Sequence, residues 1–371
     1  MKKIVYVLSY LQQFRSELLS GLSQRLAEKG ISLIVMYGEV KTKKVIIEEN
    51  GGEYIKYKYR SNIFFKLTRM IGLFNDLKKI SPDAVVFLYS PSNLTMLRIV
   101  LYCRMNHIPY ATWRCGYDRS DYSKISKAIR SSLIYSVIRH ASCNITYGTW
   151  YKSILVKNGI SPDKIVVAQN TINVESILDL NKNFKRNYLN TLTKVLFVGA
   201  LIKRKYLPSS IDAIDYLIKE GYKVEFNIVG GGTIMEELKS LVRTKRLEEH
   251  IHILGPKYGS ELSNIFQEND LFLAAGLGGL ALNEAMAYGL PIISTPVDGT
   301  GYDLVDGNGY LMDKYGDTEL QIKFLKKFIS LSPDEKINMS ERSKQIVSSI
   351  ASLNNLIDKH SYACRMLVHE V

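Results

Sequence analysis

Residues 274–296 read AAGLGGLALNEAMAYGLPIISTP, a glycine-rich turn followed by a short helical pattern and an apolar run. Gly276, Gly278 and Gly279 let backbone N–H groups come close to a ligand. The helix they open aims the positive end of its dipole at an anion such as a diphosphate. Glu284 is carried on that helix, Gly289 is placed to cap it, and residues 291–295 return the chain to a buried strand.

The same alternation extends outward. Residues 194–199 (KVLFVG), 224–229 (VEFNIV), 252–255 (HILG) and 270–274 (DLFLA) are apolar runs of the buried parallel-strand type, and helical patterns cover 233–242 and 260–267. Gly230, Gly231 and Gly232 mark a tight strand-to-helix turn. Beyond the central stretch, residues 307–310 (GNGY) form a turn and the chain from 333 onward is mostly helical.

The first half opens in kind, with a strand at 3–9 (KIVYVLS), a helix through Phe14, Leu18, Leu22 and Leu26, and a strand at 31–37. This opening lacks G-x-G-x-x-G, so NAD and FAD have little support. Further strands are expected at 83–89, 108–113 and 143–146, with helices at 94–105 and 120–140. Residues 57–81 mix Ile63, Phe64, Phe65, Leu67, Met70, Ile71, Leu73 and Phe74 with Lys58, Arg60, Lys66 and Arg69. Two readings of this segment stand: a basic amphipathic helix resting on an anionic membrane, or a core-facing helix with a charged outer face.

A chain of 371 residues fits two domains of about 150 to 190 residues. The expected division is an α/β, Rossmann-like domain over 1–170 and another over 193–349, with the polar stretch NKNFKRNYLN inside the boundary region 170–192. No window approaches the roughly 18 apolar residues of a spanning helix. Gln12, Gln13, Arg15 and Glu17 interrupt the first apolar run before a signal-peptide core forms. Cys103, Cys115, Cys143 and Cys364 are scattered without C-x-x-C spacing, which argues against a disulfide framework or a zinc site and for a cytoplasmic setting.

The net charge of +13 is concentrated. Residues 1–175 hold 26 Lys+Arg against 12 Asp+Glu, and the remainder 23 against 24. A basic first half is drawn to phosphates, in a lipid headgroup or a phosphorylated substrate, or it is simply a solvated surface. Nucleic acid has only this charge behind it, without a recognised module.

The run GGLALNEAMAYGLPIIST resembles the donor-binding segment of the family-4 retaining glycosyltransferases, which read E-G-F-G-L-x-x-x-E-A-M-A-x-G-x-P-V-I. The second glutamate of that pattern falls on Glu284 and the first on Gly276. A second block, V-G-R-L-x-x-x-K-G, matches Val198, Gly199, Leu201 and Lys205, with Ala200 in place of the arginine and Tyr206 in place of the last glycine. Gly230 and Gly231 resemble part of a third, I-V-G-x-G-P.

The resemblance implies the GT-B fold, two Rossmann-like domains around a cleft, with the last helix, about 350–371, packing back on the first domain. It implies that Lys205, with Arg204 or Lys203, offsets the charge of a leaving nucleoside diphosphate, because that charge grows as the glycosidic bond breaks. It places Glu284 on the ribose hydroxyls, backbone N–H groups of Gly278, Gly279 and Leu280 on phosphate or sugar, Gly199, Gly230 and Gly231 at the donor, and Leu254 at the base. On the acceptor side it points to Gln13, Arg15, Arg114, Asp118 and Arg119, which are otherwise capping residues or a salt-bridged loop. Where the family often carries a His-Gly or His-Asp pair, this chain has Cys115-Gly116.

The implied activity is metal-independent glycosyl transfer from a nucleotide sugar, without a further cofactor, to a glycan or polyprenyl-diphosphate-linked acceptor of a capsule or O-antigen. A carboxylate missing at Gly276 implies a deoxy or N-acetyl donor sugar. The competing expectations are a non-catalytic sugar-nucleotide-binding subunit and, behind it, an epimerase, for which no acid/base pair is identifiable.

Overall fold

The computed structural model describes residues 1–39, 52–62, 67–116 and 124–369. The chain divides into two compact units, Met1–Gln169 joined by Leu353–Val371, and Asn170–Ser352. Both are α/β and Rossmann-like.

The first unit begins β1 (Lys2–Leu8), α1 (Phe14–Ala27), β2 (Ile31–Glu39), β3 (Glu53–Asn62), β4 (Leu67–Met70), α2 (Leu73–Ile80) and β5 (Ala84–Phe87). It continues α3 (Leu94–Met105), β6 (Tyr110–Arg114), α4 (Lys124–Arg139), β7 (Cys143–Thr146), α5 (Thr149–Lys157) and β8 (Ile165–Val167). The sheet order is β4-β3-β2-β1-β5-β6-β7-β8, parallel except where β3 meets β4. Helices cover both faces of such a sheet, so its central strands are apolar without alternation. Ile4 through Leu8 are accordingly all fully buried.

In the second unit α6 (Val174–Leu180) leads to β9 (Thr193–Val198), α7 (Leu207–Lys219), β10 (Val224–Val229), α8 (Met235–Lys245), β11 (Ile251–Gly255), α9 (Gly259–Glu268) and β12 (Leu271–Ala274). Then come α10 (Leu280–Ala287), β13 (Ile292–Ser294), α11 (Gly301–Leu304), β14 (Gly309–Leu311), α12 (Thr318–Ile329) and α13 (Pro333–Ile350). The sheet is parallel throughout, in the order β11-β10-β9-β12-β13-β14. Strand order therefore reverses between β9 and β12, and loops that leave neighbouring strands at such a point open a crevice where doubly wound sheets bind ligands.

The last helix, α14 (Leu353–Leu367), is part of the first unit. Leu356, Ile357, Ala363, Cys364 and Leu367 share one core cluster with β1 and α1, and Asp358 pairs with Arg25 at 2.6 Å. Residues 170–192 fall within the second unit rather than between the two. Arg186 fixes them there, donating to the carbonyls of Phe266 (2.7 Å) and Tyr288.

The helix expected over 57–81 is not formed. β3 and β4 make an antiparallel pair with Arg60 opposite Arg69, and only Leu73–Ile80 is helical. The reason is legible in Ile55-Lys56-Tyr57-Lys58-Tyr59-Arg60, which alternates with period two: Tyr57 is buried and Ile55 and Tyr59 half-buried, while Lys56, Lys58 and Arg60 are exposed. Of the apolar residues in that segment, Ile63, Phe64 and Phe65 lie outside the described residues.

Candidate active site

Two loops leave the second sheet at its switch point. The first runs from Gly199 through a 3-10 turn, Lys203–Lys205, into α7. The second is the glycine turn 275–279 between β12 and α10. They are bonded to each other: Leu277 N–H donates to the Arg204 carbonyl at 3.1 Å, and Lys205 Nζ donates to the Leu277 carbonyl at 2.5 Å. The Lys205 ammonium thus lies over Gly278, one residue before the Gly279 N-cap of α10. A half-buried ammonium next to open helix N–H groups suits a diphosphate.

This contact also explains Gly276. A β-carbon there would run into the Arg204 carbonyl and the Lys205 backbone, so this chain cannot take a carboxylate at 276 without moving the loop that carries its cations. Lys203 and Arg204 are exposed on that loop. Tyr206, where the resemblance calls for glycine, keeps a left-handed backbone at φ 54°, a conformation that costs an L-residue about 1 to 2 kcal/mol. Its ring stacks on Tyr315 with centroids 6.4 Å apart.

Glu284 sits one turn into α10, where its backbone carbonyl accepts from the Tyr288 N–H at 3.1 Å while its carboxyl has no hydrogen-bond or ion-pair partner among the described residues. Burial without a partner pushes its carboxyl up to about 7. Its neighbour Asn283 is fully buried, donating from Nδ2 to the Asn170 carbonyl at 2.8 Å. Leu280 begins the helix, and Gly289 caps it at φ 70°. Gly230 and Gly231 follow β10, where the Leu201 N–H donates to the Gly231 carbonyl at 2.9 Å and Gly199 N–H to the Val229 carbonyl at 3.0 Å. Leu254 lies near the end of β11, next to Gly255, whose carbonyl accepts from Gly230 N–H at 2.9 Å. The structure therefore gathers Gly199, Lys203, Arg204, Lys205, Gly278, Gly279 and Leu280 on two bonded loops, with Gly230, Gly231 and Leu254 on the adjacent strand ends.

Sequence reading missed one part of this region. Asp298 and Thr300 are buried beside Gly279, with Thr300 Oγ1 donating to Asp298 Oδ1 at 2.8 Å. Val297, a β-branched residue, is held left-handed at φ 51° to place them. Such an outlier persists only where its surroundings over-determine it. The Asp298-Gly299 turn signal was the available clue.

The acceptor-side set of the first unit is arranged differently. Gln13 precedes α1 as its N-cap position, without a side-chain cap. Arg15, expected on the acceptor side or as a capping residue, is only 5% exposed, because Trp113 and Tyr147 close over it. Its guanidinium lies 4.8 Å from the Trp113 ring and donates from Nη2 to Tyr147 Oη at 2.9 Å, while Nε and Nη1 have no hydrogen-bond partner among the described residues. His360 of α14 packs edge-on against Trp113 at 4.5 Å and bonds Tyr6 Oη at 2.9 Å. Burial, and then the Arg15 charge, push that imidazole down to about 3. Arg114 ends β6 and donates to the Tyr89 carbonyl at 2.8 Å. Asp118 and Arg119 lie outside the described residues.

Comparison with known proteins agrees with this layout. Residues 180–346 match the family model for glycosyl transferases group 1. Over 155 residues the chain is 30% identical to the amylovoran biosynthesis glycosyltransferase AmsK of Erwinia amylovora, covering 39% of this chain and 37% of that one. The chain thus spans well under half the length of this curated relative. Among solved structures, a glycosyltransferase from Rickettsia africae superposes with a TM-score of 0.72 at 16% identity, covering 100% of this chain and 99% of the other. Anabaena Alr3699/HepE in complex with UDP also gives 0.72, at 14% identity over 98% and 99%. At these identities the two structures establish the fold, that of GT-B glycosyltransferases.

Proposed function

We propose that the chain is a family-4 retaining glycosyltransferase that moves a sugar from a nucleoside-diphosphate donor to a glycan or lipid-linked acceptor in bacterial surface-polysaccharide synthesis, at the cytoplasmic face of the membrane. The observation that carries this reading is the pair of bonded loops at the β9/β12 switch point, where Lys205 is fixed over the glycine turn that opens α10. It lies inside the residues matched to the glycosyl transferase model, and the Anabaena structure of the same fold was solved with UDP.

In this reading the donor diphosphate lies against the N–H groups of Gly278, Gly279 and Leu280, with Lys205 and Arg204 or Lys203 offsetting its charge. Glu284 accepts hydrogen bonds from the ribose hydroxyls, and Leu254 packs the base. As the bond from the anomeric carbon to the phosphate oxygen breaks, the acceptor hydroxyl attacks from the same face. Its proton passes to the departing phosphate, so no protein nucleophile takes part. The fixed cations act on the charge that develops on the leaving group, which is where preorganised electrostatics lower a barrier most. The missing carboxylate at Gly276 favours a deoxy or N-acetyl sugar, and a preference for UDP-glucose or GDP-mannose would refute that part. Gln13, Arg15 and Arg114 belong to the acceptor side.

A thermal-shift screen of nucleoside diphosphates and their sugars tests the donor site. One base should raise the melting temperature, by about 2.7 kcal/mol of added stability at a hundredfold excess over Kd. Lys205→Ala and Glu284→Ala should each lose that shift. If no nucleotide binds, the reading fails. Sugar transfer or donor hydrolysis by the isolated protein separates an enzyme from a non-catalytic subunit.

A further inference from the structure

In the first unit a cavity of about 290 Å³ opens between β4, α2 and the start of α3, lined by Arg69, Ile71, Phe74, Leu94 and Arg98 among others. Its two guanidinium groups have no carboxylate partner among the described residues, and Arg98 is held 4.2 Å over the Phe74 ring. An unpaired cation on an aromatic wall remains available to an anion. The cavity continues onto an uncovered face of α3. Leu94, Arg98, Leu101 and Met105 follow one another at i, i+4, i+7 and i+11, a single stripe along the helix, and all four are exposed, Met105 by 80%. Ile71, 44% exposed, stands at the cavity's rim on the same side. The opposite face of α3, with Met96, Ile99, Val100 and Cys103, fills the core, so the outer stripe is surplus to folding.

The geometry points to this cavity and stripe as the place where the first unit docks on the phosphate headgroups of an anionic lipid bilayer. It rests on the reading of a lipid-linked acceptor above and gives the membrane contact a location. Arg69 and Arg98 take headgroup phosphates in the cavity, while Leu94, Leu101, Met105 and Ile71 enter the interface beside them. Lys78, Lys79 and Arg104 are exposed on the same two helices. Asp76, the one acidic residue of α2 and α3, is already engaged by Tyr57 and Lys79. Apolar burial and attraction to anionic lipid add at such a surface, each basic residue strengthening partition about fivefold. No helix of the described residues is long and apolar enough to cross a membrane.

Co-sedimentation of the full chain with vesicles tests the site. Vesicles of phosphatidylcholine with 30% phosphatidylglycerol should bind it, pure phosphatidylcholine should not, and added salt should release it. The double variant R69Q/R98Q should weaken partition about 25-fold, and L101S/M105S should weaken it without changing its salt dependence. R98K keeps the charge and should retain most of the binding, which separates a lost site from a lost fold. Equal binding to neutral vesicles, or unchanged binding by R69Q/R98Q, overturns the proposal. So does a thermal shift with soluble glycerol phosphate in a protein that ignores vesicles, since the cavity would then serve a soluble phosphate. Because nucleotide binding is measured separately in the same variants, this inference can fail while the glycosyltransferase reading stands.

Discussion

The C-terminal ends of the parallel strands in the two sheets are built from opposite materials. In the second unit the edge is mostly backbone: Gly199, Gly230, Gly276, Gly278 and Gly279 bring chains into contact, and the charged groups Lys203 and Arg204 stay exposed. In the first unit it is mostly side chain: Trp113, Tyr147 and His360 surround an arginine that water hardly reaches. An edge of the first kind leaves N–H groups and cations open to a phosphate. One of the second kind fixes shape, with the polar atoms of Arg15, Trp113 and His360 turned inward. Substitutions should therefore hurt the two edges in different ways.

The largest effect is expected at Gly230. A β-carbon there would strike the Gly199 carbonyl, and φ is +139°, so Gly230→Ala has to separate two strand ends. By the usual costs of overpacking and of backbone strain together, it should lose about 3 kcal/mol or more. Gly221→Ala is the control, because φ is +85° there but nothing lies within 4 Å, and strain alone should cost about 1 kcal/mol. Urea unfolding of the two variants measures both. Equal losses would mean that conformation, not close approach, holds this edge together.

Glu284→Gln sharpens the comparison within the second unit. The carboxyl is raised from 4.5 to about 7 by burial, so the native state keeps a proton that the unfolded chain has released. That linkage stabilises the fold fully below about pH 4.5 and is lost as pH rises through about 7. At pH 8 the native protein carries a desolvated charge, and the glutamine variant should be more stable by about 2 kcal/mol, with little difference near pH 4.5. The same variant should lose nucleotide binding. In the parent protein, affinity should fall about tenfold per pH unit below 7, since ribose hydroxyls donate to the ionised form. A variant less stable than its parent at pH 8, or donor affinity that is flat from pH 5.5 to 8, would assign Glu284 a purely structural role.

What the sequence disclosed follows the same division. Gly199, Lys205, Gly276 and Gly278 are legible because tight turns demand glycine and because spacing along the chain is also spacing along a loop. The strands are legible as short runs between turn signals, as at residues 224–229 and 143–146, which are strands over the same bounds. The helix expected over 57–81 does not form because Ile55 to Arg60 alternates with period two, the repeat of a strand, while its apolar content alone suits either element. Asp298 was missed because its placement depends on Val297 taking a backbone that its residue type disfavours. The burial of Arg15 was not legible at all: the residues that cover it come from β6, from the end of β7 and from α14, more than 95 positions away in each case.

The smallest effect should come from Arg15→Met, and its smallness is informative. Removing the guanidinium forfeits one hydrogen bond to Tyr147, worth about 1 kcal/mol, and a cation–π contact with Trp113 worth about 1 to 2. Against this, the variant no longer buries a cation whose Nε and Nη1 are unpartnered, a penalty of several kcal/mol for an isolated ion. Methionine is long and flexible enough to refill the space beside Trp113. The opposing terms nearly cancel, so stability in urea should stay within about 1 kcal/mol of the parent, and nucleotide-induced thermal shifts should be unchanged because the donor loops lie in the other unit. Transfer to acceptor, in contrast, should fall if Arg15 serves the acceptor side as proposed. A stability loss as large as that of Gly230→Ala would erase the distinction between the two edges, since it would make the buried cation a structural keystone rather than a group whose cost the fold carries.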